Sequence, residues 1–215
     1  MYRGLNKINY FFFEFNILKY VSFIKTNVRL FSTRKIKKLI KKNIFCLWIT
    51  GISGAGKTTL ANNTKEHLTS LGYNVVVLDG DDVRSTINSD LSFNMKGRDE
   101  NIRRIAQLAK LLAKQNIVSI VSVISPMESQ RKLAHKVFEK NLHLIYLKAS
   151  IERCIQNDNK GLYKKARENT IKNFTGMTSP YEEPTNPNLE INTDTNDAEK
   201  AAKILYEYIE KMTKS

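Results

Sequence analysis

Short apolar runs recur along the chain at intervals that leave room for a helix between each pair. Residues 44–49 (Ile44-Phe45-Cys46-Leu47-Trp48-Ile49), 73–78, 116–124 and 142–147 are such runs, several rich in β-branched residues, and a shorter one covers 189–192. Between them lie segments whose apolar positions return every three or four residues. In the clearest, residues 98–112, Ile102, Ile105, Ala106, Leu108, Ala109 and Leu112 form one face. That spacing is helical, whereas a continuous apolar run of about six residues suits a strand buried on both faces. Helices are predicted over 59–68, 83–91, 98–112, 128–138, 151–157 and 197–212, and over 163–169 as one of two readings of a basic segment, with Gly72 closing the first as a C′ glycine. Strand alternating with helix implies right-handed βαβ units and a parallel sheet. The expected fold is therefore α/β: a three-layer sandwich, with a parallel β-sheet flanked by helices.

Gly51-Ile52-Ser53-Gly54-Ala55-Gly56-Lys57-Thr58 fits G-x-x-x-x-G-K-[ST] between the first strand and the first helix, a phosphate loop that makes the expected sandwich one of the P-loop NTPase kind. Glycines let the backbone curl until several N–H groups converge on a phosphate, and the helix N-terminus adds partial positive charge. Gly51, Ser53, Gly54, Ala55, Gly56, Lys57, Thr58 and Thr59 are the expected nucleotide contacts. Lys57 would reach the β- and γ-phosphates, and the Thr58 hydroxyl would ligate Mg²⁺. ATP and Mg²⁺ are the implied cofactors.

The second strand delivers Asp79-Gly80-Asp81-Asp82 to its carboxyl end, where ligands of open α/β sheets sit. An acid there could hold Mg²⁺, the role expected of Asp79, or orient and deprotonate an attacking hydroxyl, the role expected of Asp81. Asp81 or Asp82 would also cap the next helix. Arg84, Arg98 and Asn101 follow within about a score of residues and could clamp a second anion through forked hydrogen bonds. Ser125-Pro126 ends the third strand. A basic, glycine-punctuated segment, residues 160–176, is placed where a lid would close over the transferred phosphoryl group. Phe174 within it could stack on a purine or pack the lid to the body.

Charge changes the picture at the N-terminus only. The chain carries a net +14, but residues 1–43 hold 11 Lys/Arg against the single acid Glu14, and the rest hold 24 basic and 20 acidic groups. The kinase-like part therefore suits an anionic small molecule, and no nucleic-acid partner is expected of it. Residues 1–43 are divided off from a domain at 44–215. Glu14 and Lys19 interrupt their aromatic run, which argues against a membrane span. Basic, acid-poor composition suits an organellar transit peptide. Arg29-Leu30-Phe31-Ser32 resembles a mitochondrial processing site. A mitochondrion or related organelle is expected, with a plastid or the cytoplasm as alternatives. Residues 34–42 could instead bind RNA or a membrane surface. Cys46 and Cys154 show no metal or redox spacing, and His67, His135 and His143 no ligand spacing, so all five read as structural.

Taken together, Leu78-Asp79-Gly80-Asp81, Val83-Arg84, Arg98 through Arg104, Ile124-Ser125-Pro126, Lys160-Gly161-Leu162-Tyr163-Lys164-Lys165-Ala166-Arg167 and Phe174-Thr175-Gly176 make residues 44–213 resemble the adenylylsulfate kinase (APS kinase) family. The resemblance implies transfer of the γ-phosphoryl of MgATP to the 3′-hydroxyl of adenosine 5′-phosphosulfate. It implies that Asp81, Asp82, Val83, Arg84, Phe93, Arg98, Asn101, Ile124, Ser125, Lys160, Asn173 and Phe174 bind that substrate, with Phe93 and Phe174 sandwiching its adenine. Lys57, Asp81 and Ser125 are then the catalytic set. Ser125 matches a serine given as a phosphoserine intermediate in bacterial members, although direct in-line transfer suffices for such enzymes. A stand-alone kinase, as a homodimer, is the implied form. Departures from the family are Asp82 for a usual Asn, Ser85-Thr86, Met127-Glu128, and Asn173 for the usual Gly before Phe174. The competing readings are another small-molecule phosphate-loop kinase and a non-catalytic nucleotide-binding subunit. A GTPase is disfavoured, since Asn159-Lys160-Gly161-Leu162 lacks the Asp of a guanine signature.

Overall fold

The computed structural model describes residues 44–214. The expectations placed on residues 1–43 lie outside them. Five strands form one sheet: β1 (Cys46–Thr50), β2 (Asn74–Asp79), β3 (Ile117–Ser122), β4 (Leu142–Lys148) and β5 (Leu189–Asn192). They stand in the order β2-β3-β1-β4-β5, every pair parallel. The helices are α1 (Lys57–Ser70), α2 (Gly80–Ser85), α3 (Met95–Lys114), α4 (Glu128–Phe138), α5 (Ile151–Gln156), α6 (Leu162–Arg167) and α7 (Ala198–Lys214).

Side-chain alternation in β1 builds the three layers. Leu47 and Ile49 face the α1/α7 side, where Leu60, Leu68, Leu205 and Ile209 pack with Ile120, Ile145 and Leu147. Cys46 and Trp48 face the α3/α4 side, among Ile102, Ile105, Ala109, Ala134 and Phe138. Because both faces are covered, β1 is buried throughout, which is why it reads as an unbroken apolar run. Gly72 does end α1: it takes φ 79, a conformation that a Cβ disfavours, and its N–H and that of Tyr73 bond back to Thr69 and Leu68. His67 stacks on Tyr206 and His143 Nδ1 lies 2.7 Å from the Tyr208 hydroxyl, both structural placements.

Two boundaries differ from expectation. The cap of α2 is Asp79, whose carboxylate accepts from Asp81 N at 3.0 Å, and neither Asp81 nor Asp82 caps it. Three acids in four residues all satisfy a capping preference, and the strand's end decides among them. The helix expected over 83–91 begins earlier and ends at Ser85, and α3 starts at Met95, because the Asn94 side chain caps it through Gly97 N at 2.9 Å. Among the described residues, no helix is long and apolar enough to cross a membrane.

Candidate functional site

The carboxyl ends of β1, β2, β3 and β5 open onto one cavity of about 1110 Å³. The phosphate loop forms its floor from Ser53 to Thr59, α2 supplies Asp81 and Arg84, α3 supplies Arg98 and Asn101, and the lid supplies Lys160, Asn173 and Phe174. One chamber thus joins the nucleotide-binding loop to the second anion site expected from the sequence.

Within the loop, Lys57 Nζ donates to Ile52 O at 2.8 Å. Loss of hydration pushes its pKa down to about 8, against the opposing pull of Cys154, Asp79 and Asp81. Thr58 Oγ1 donates to Asp79 Oδ2 at 2.7 Å, and Ser122 Oγ to the same oxygen at 3.0 Å. A carboxylate and a hydroxyl side by side, at the mouth of a phosphate loop, are the hard oxygen donors that Mg²⁺ prefers. Thr58 and Asp79 fit that ion.

Asp81 lies across the chamber, its Oδ2 2.5 Å from Lys160 Nζ. That hydrogen bond and charge raise the Lys160 pKa. Arg84 stacks its guanidinium 4.4 Å from the centre of the exposed Phe93 ring. Burial lowers the pKa of both Arg84 and Arg98, and Arg98's charge lowers that of Arg84 further. Anions are the natural partners of two cations held this way. Asn101 is buried and its Oδ1 accepts from Asn88 Nδ2 at 2.8 Å.

Arg98 is engaged within the protein itself. Its Nε donates to Phe93 O at 2.9 Å, its Nη1 to Thr175 Oγ1 at 2.8 Å and its Nη2 to Asn173 O. It therefore ties together the backbones that carry Phe93 and Phe174. Asn173 takes φ 60, which explains how it replaces a glycine: asparagine is among the few residues that tolerate the left-handed region. Phe174 packs edge-on against Tyr163, ring centres 4.9 Å apart. Both expected roles of Phe174 are compatible with this placement, since it packs the lid and still lines the chamber.

Four expected residues are placed differently from the rest. Gly51 does not line the cavity; the loop leaves β1 there, pressed on the Leu147 carbonyl. Val83 points into the α3/α4 core. Asp82 is exposed, outside the chamber, because successive residues of a helix are rotated by about 100° and Asp82 follows Asp81 on α2. Ser125 is positioned against nucleophilic attack. Its Oγ is buried, accepts from Trp48 Nε1 at 3.1 Å and donates to Thr50 Oγ1 at 3.0 Å. Arg131 holds its carbonyl at 2.9 Å, and the residue takes φ 38. It shapes the chamber wall beside Ile124.

Sequence reasoning passed over Ser122, Gln130, Thr193, Asn196 and Asp197, which also line the chamber. For Ser122, at the end of β3, and for Thr193, Asn196 and Asp197, after β5, the strand ends were a usable signal, as ligands gather there; Gln130, on α4, carried none.

The adenylylsulphate kinase family profile matches residues 43–192. The adenylyl-sulfate kinase of Bacillus licheniformis is 44% identical over 169 residues, covering 78% of this chain and 86% of that protein. A probable adenylyl-sulfate kinase of Aeropyrum pernix is 41% identical, covering 80% and 95%. Among solved structures, the APS kinase of Mycobacterium tuberculosis in complex with AMPPNP and APS superposes with a TM-score of 0.75 at 36% identity, covering 79% of this chain and 99% of that one. A gluconokinase of Sinorhizobium meliloti, at 13% identity and a TM-score of 0.54, shares the fold alone. With the family profile spanning residues 43–192 and relatives more than 40% identical over most of their own length, the chain belongs to the adenylylsulphate kinase family.

Proposed function

We propose that this protein phosphorylates adenosine 5′-phosphosulfate at its 3′-hydroxyl with MgATP, yielding 3′-phosphoadenosine 5′-phosphosulfate and ADP. The observation that carries this reading is the single chamber running from Lys57 to Asp81, Arg84, Phe93, Arg98 and Asn101. Two anionic nucleotides fit end to end there. Thr58 and Asp79 would hold Mg²⁺, which supplies charge neutralisation at the phosphates. Lys57 offsets charge on the transferred phosphoryl group, and Asp81 accepts the hydrogen bond of the acceptor hydroxyl and takes its proton as the bond to phosphorus forms. Arg84 and Arg98 neutralise the phosphosulfate, while Phe93 and Phe174 offer ring faces to the adenine. The solved Mycobacterium tuberculosis relative carries AMPPNP and APS together, which supports two nucleotides in one chamber. The test is ADP release with adenosine 5′-phosphosulfate, adenosine monophosphate or gluconate as acceptor. Stimulation by the sulfated nucleotide alone is expected; stimulation by another acceptor instead would overturn the reading.

We also propose that residues 1–43 direct import into a mitochondrion or related organelle and are then removed. Their 11 basic residues against one acid, and Arg29-Leu30-Phe31-Ser32, support it. A fluorescent reporter carrying residues 1–43 should enter isolated mitochondria and lose the segment; a reporter left outside and uncut sinks the idea. The assembly we propose is a homodimer, although a solved relative from Thiobacillus denitrificans is described as hexameric. Light scattering of the purified protein decides between them.

A further inference from the structure

The outer limb of the phosphate loop is held by residues 154–163, which lead from α5 into the lid. Tyr163, the second residue of α6, is fully buried and its hydroxyl donates to Ser53 O at 2.7 Å. Asn157, just past α5, donates from Nδ2 to Gly54 O at 3.2 Å. Gly54 takes φ 80 with its α-carbon pressed against Cys154, so that a Cβ there would lie 2.6 Å from the Cys154 carbonyl oxygen. Three contacts from residues 154–163 thus converge on two consecutive residues of the loop.

A peptide unit is planar, and in its trans form the C=O and the following N–H point in opposite directions. Fixing the Ser53 carbonyl on Tyr163 therefore fixes the Gly54 N–H on the opposite side of the chain, away from Tyr163, and Gly54 lines the chamber. We propose that Tyr163 is a positioning residue for the nucleotide: its hydroxyl holds the Ser53–Gly54 peptide so that the Gly54 amide faces the ATP phosphates. Lid helix and phosphate loop then bind the nucleotide as one unit. The lid is otherwise assigned to the second substrate, through Lys160, Asn173 and Phe174, so this gives it a hand on ATP as well. Burial raises the phenol's pKa well above its ordinary value, so the hydroxyl remains a donor throughout the working pH range.

This inference rests on the phosphate-loop reading, and the experiment separates the two. Tyr163→Phe keeps the ring packed against Phe174 and removes only the hydroxyl. Titration of MgADP into wild type and variant by calorimetry is expected to show binding about five-fold weaker in the variant, the scale of one lost hydrogen bond. The KM for MgATP should rise by a similar factor while that for the sulfated nucleotide holds. Amide exchange in residues 53–56 of the nucleotide-free variant should quicken, with β1 and β3 unchanged. Asn157→Ala, which frees the Gly54 carbonyl, should move the same readouts in the same direction by less. Equal MgADP affinity in wild type and both variants overturns the proposal, as does a parallel rise in KM for both substrates, which marks general loosening. A wild type that binds no MgADP overturns the nucleotide reading itself, and this inference with it.

Discussion

Lys160 Nζ and Asp81 Oδ2 meet at 2.5 Å, joining the lid to the carboxylate proposed above to receive the acceptor hydroxyl. Both side chains are mostly exposed, 65% and 77%. Exposed ion pairs contribute at most about 1 kcal/mol, so this one opens readily when an anionic nucleotide arrives. Lys160 is then free to turn to the substrate, and Asp81 to the hydroxyl. Asp81→Asn keeps the shape and loses the base. Its turnover is expected to fall by about a hundred-fold or more, the usual scale of general-base assistance. Its melting temperature should stay within a degree or two of wild type, since little stability resides in the pair. A variant retaining wild-type turnover would remove Asp81 from the reaction.

Lys57 gives a pH dependence with a definite sign. In the free protein its pKa lies at about 8, lowered by loss of hydration. A bound polyphosphate favours the ammonium and raises that value, so ATP binding above pH 8 must take up a proton. Affinity for ATP is therefore full below pH 8 and declines as pH rises beyond it. The profile of kcat/KM for ATP should bend near pH 8 and approach a ten-fold loss per pH unit. Lys57→Ala should lower turnover about a hundred-fold or more at every pH. A profile that stays level to pH 9.5 in wild type would refute the assignment.

What the sequence revealed and what it concealed divide by distance along the chain. The β1–loop–α1 unit was legible because its signals are local: an apolar run, spaced glycines, then helical periodicity. Strand β5 and helix α4 matched at both ends for the same reason. The contacts that set side-chain roles are not local. Ser125 Oγ reaches Trp48 across 77 residues, Arg98 reaches Thr175 across 77, and Tyr163 reaches Ser53 across 110. No periodicity encodes them, so Ser125 took its catalytic role only from the family resemblance and Arg98 read as a free clamp. The motif Glu100-Asn101-Ile102-Arg103-Arg104 was legible as a unit but not in its parts. Asn101 faces the chamber, whereas Glu100 and Arg104 form an ion-pair network that reaches Asp90 and anchors the turn before α3.

Arg98 joins Phe93, Asn173 and Thr175, so its loss should both weaken the second substrate and loosen the lid. Arg98→Ala removes three donors of one guanidinium. Hydrogen bonds from charged groups are each worth about 1.5–3 kcal/mol, so KM for the sulfated nucleotide should rise at least ten-fold. ATP affinity should stay near normal, because no atom of Arg98 is hydrogen-bonded to the phosphate loop. Amide exchange across residues 173–178 should quicken. Arg98→Lys should not restore the lid contacts, since an ammonium cannot reach three acceptors in the plane of a fork. If ATP affinity falls and that of the sulfated nucleotide does not, the two sites have been assigned the wrong way round.

Ser125 separates a phospho-enzyme route from direct transfer. Its Oγ sits between the Trp48 indole and Thr50, and Thr50 Oγ1 in turn bonds Ile124 O and lies 3.0 Å from the Tyr181 hydroxyl. Phosphorylating that oxygen would force a dianion into a buried site that Trp48 and Thr50 already fill, at a large desolvation cost. Ser125→Ala should therefore keep turnover within about ten-fold of wild type. It should instead lose stability, about 1–3 kcal/mol, because the Trp48 N–H is left buried without an acceptor. Denaturant unfolding followed by Trp48 fluorescence reads both the loss and the changed indole environment, since Trp48 is the chain's single tryptophan. Incubation with γ-labelled ATP should leave no label on wild-type protein after denaturation. Label that is present in wild type, absent in Ser125→Ala and chased into product by the sulfated nucleotide would establish the covalent route and overturn direct transfer.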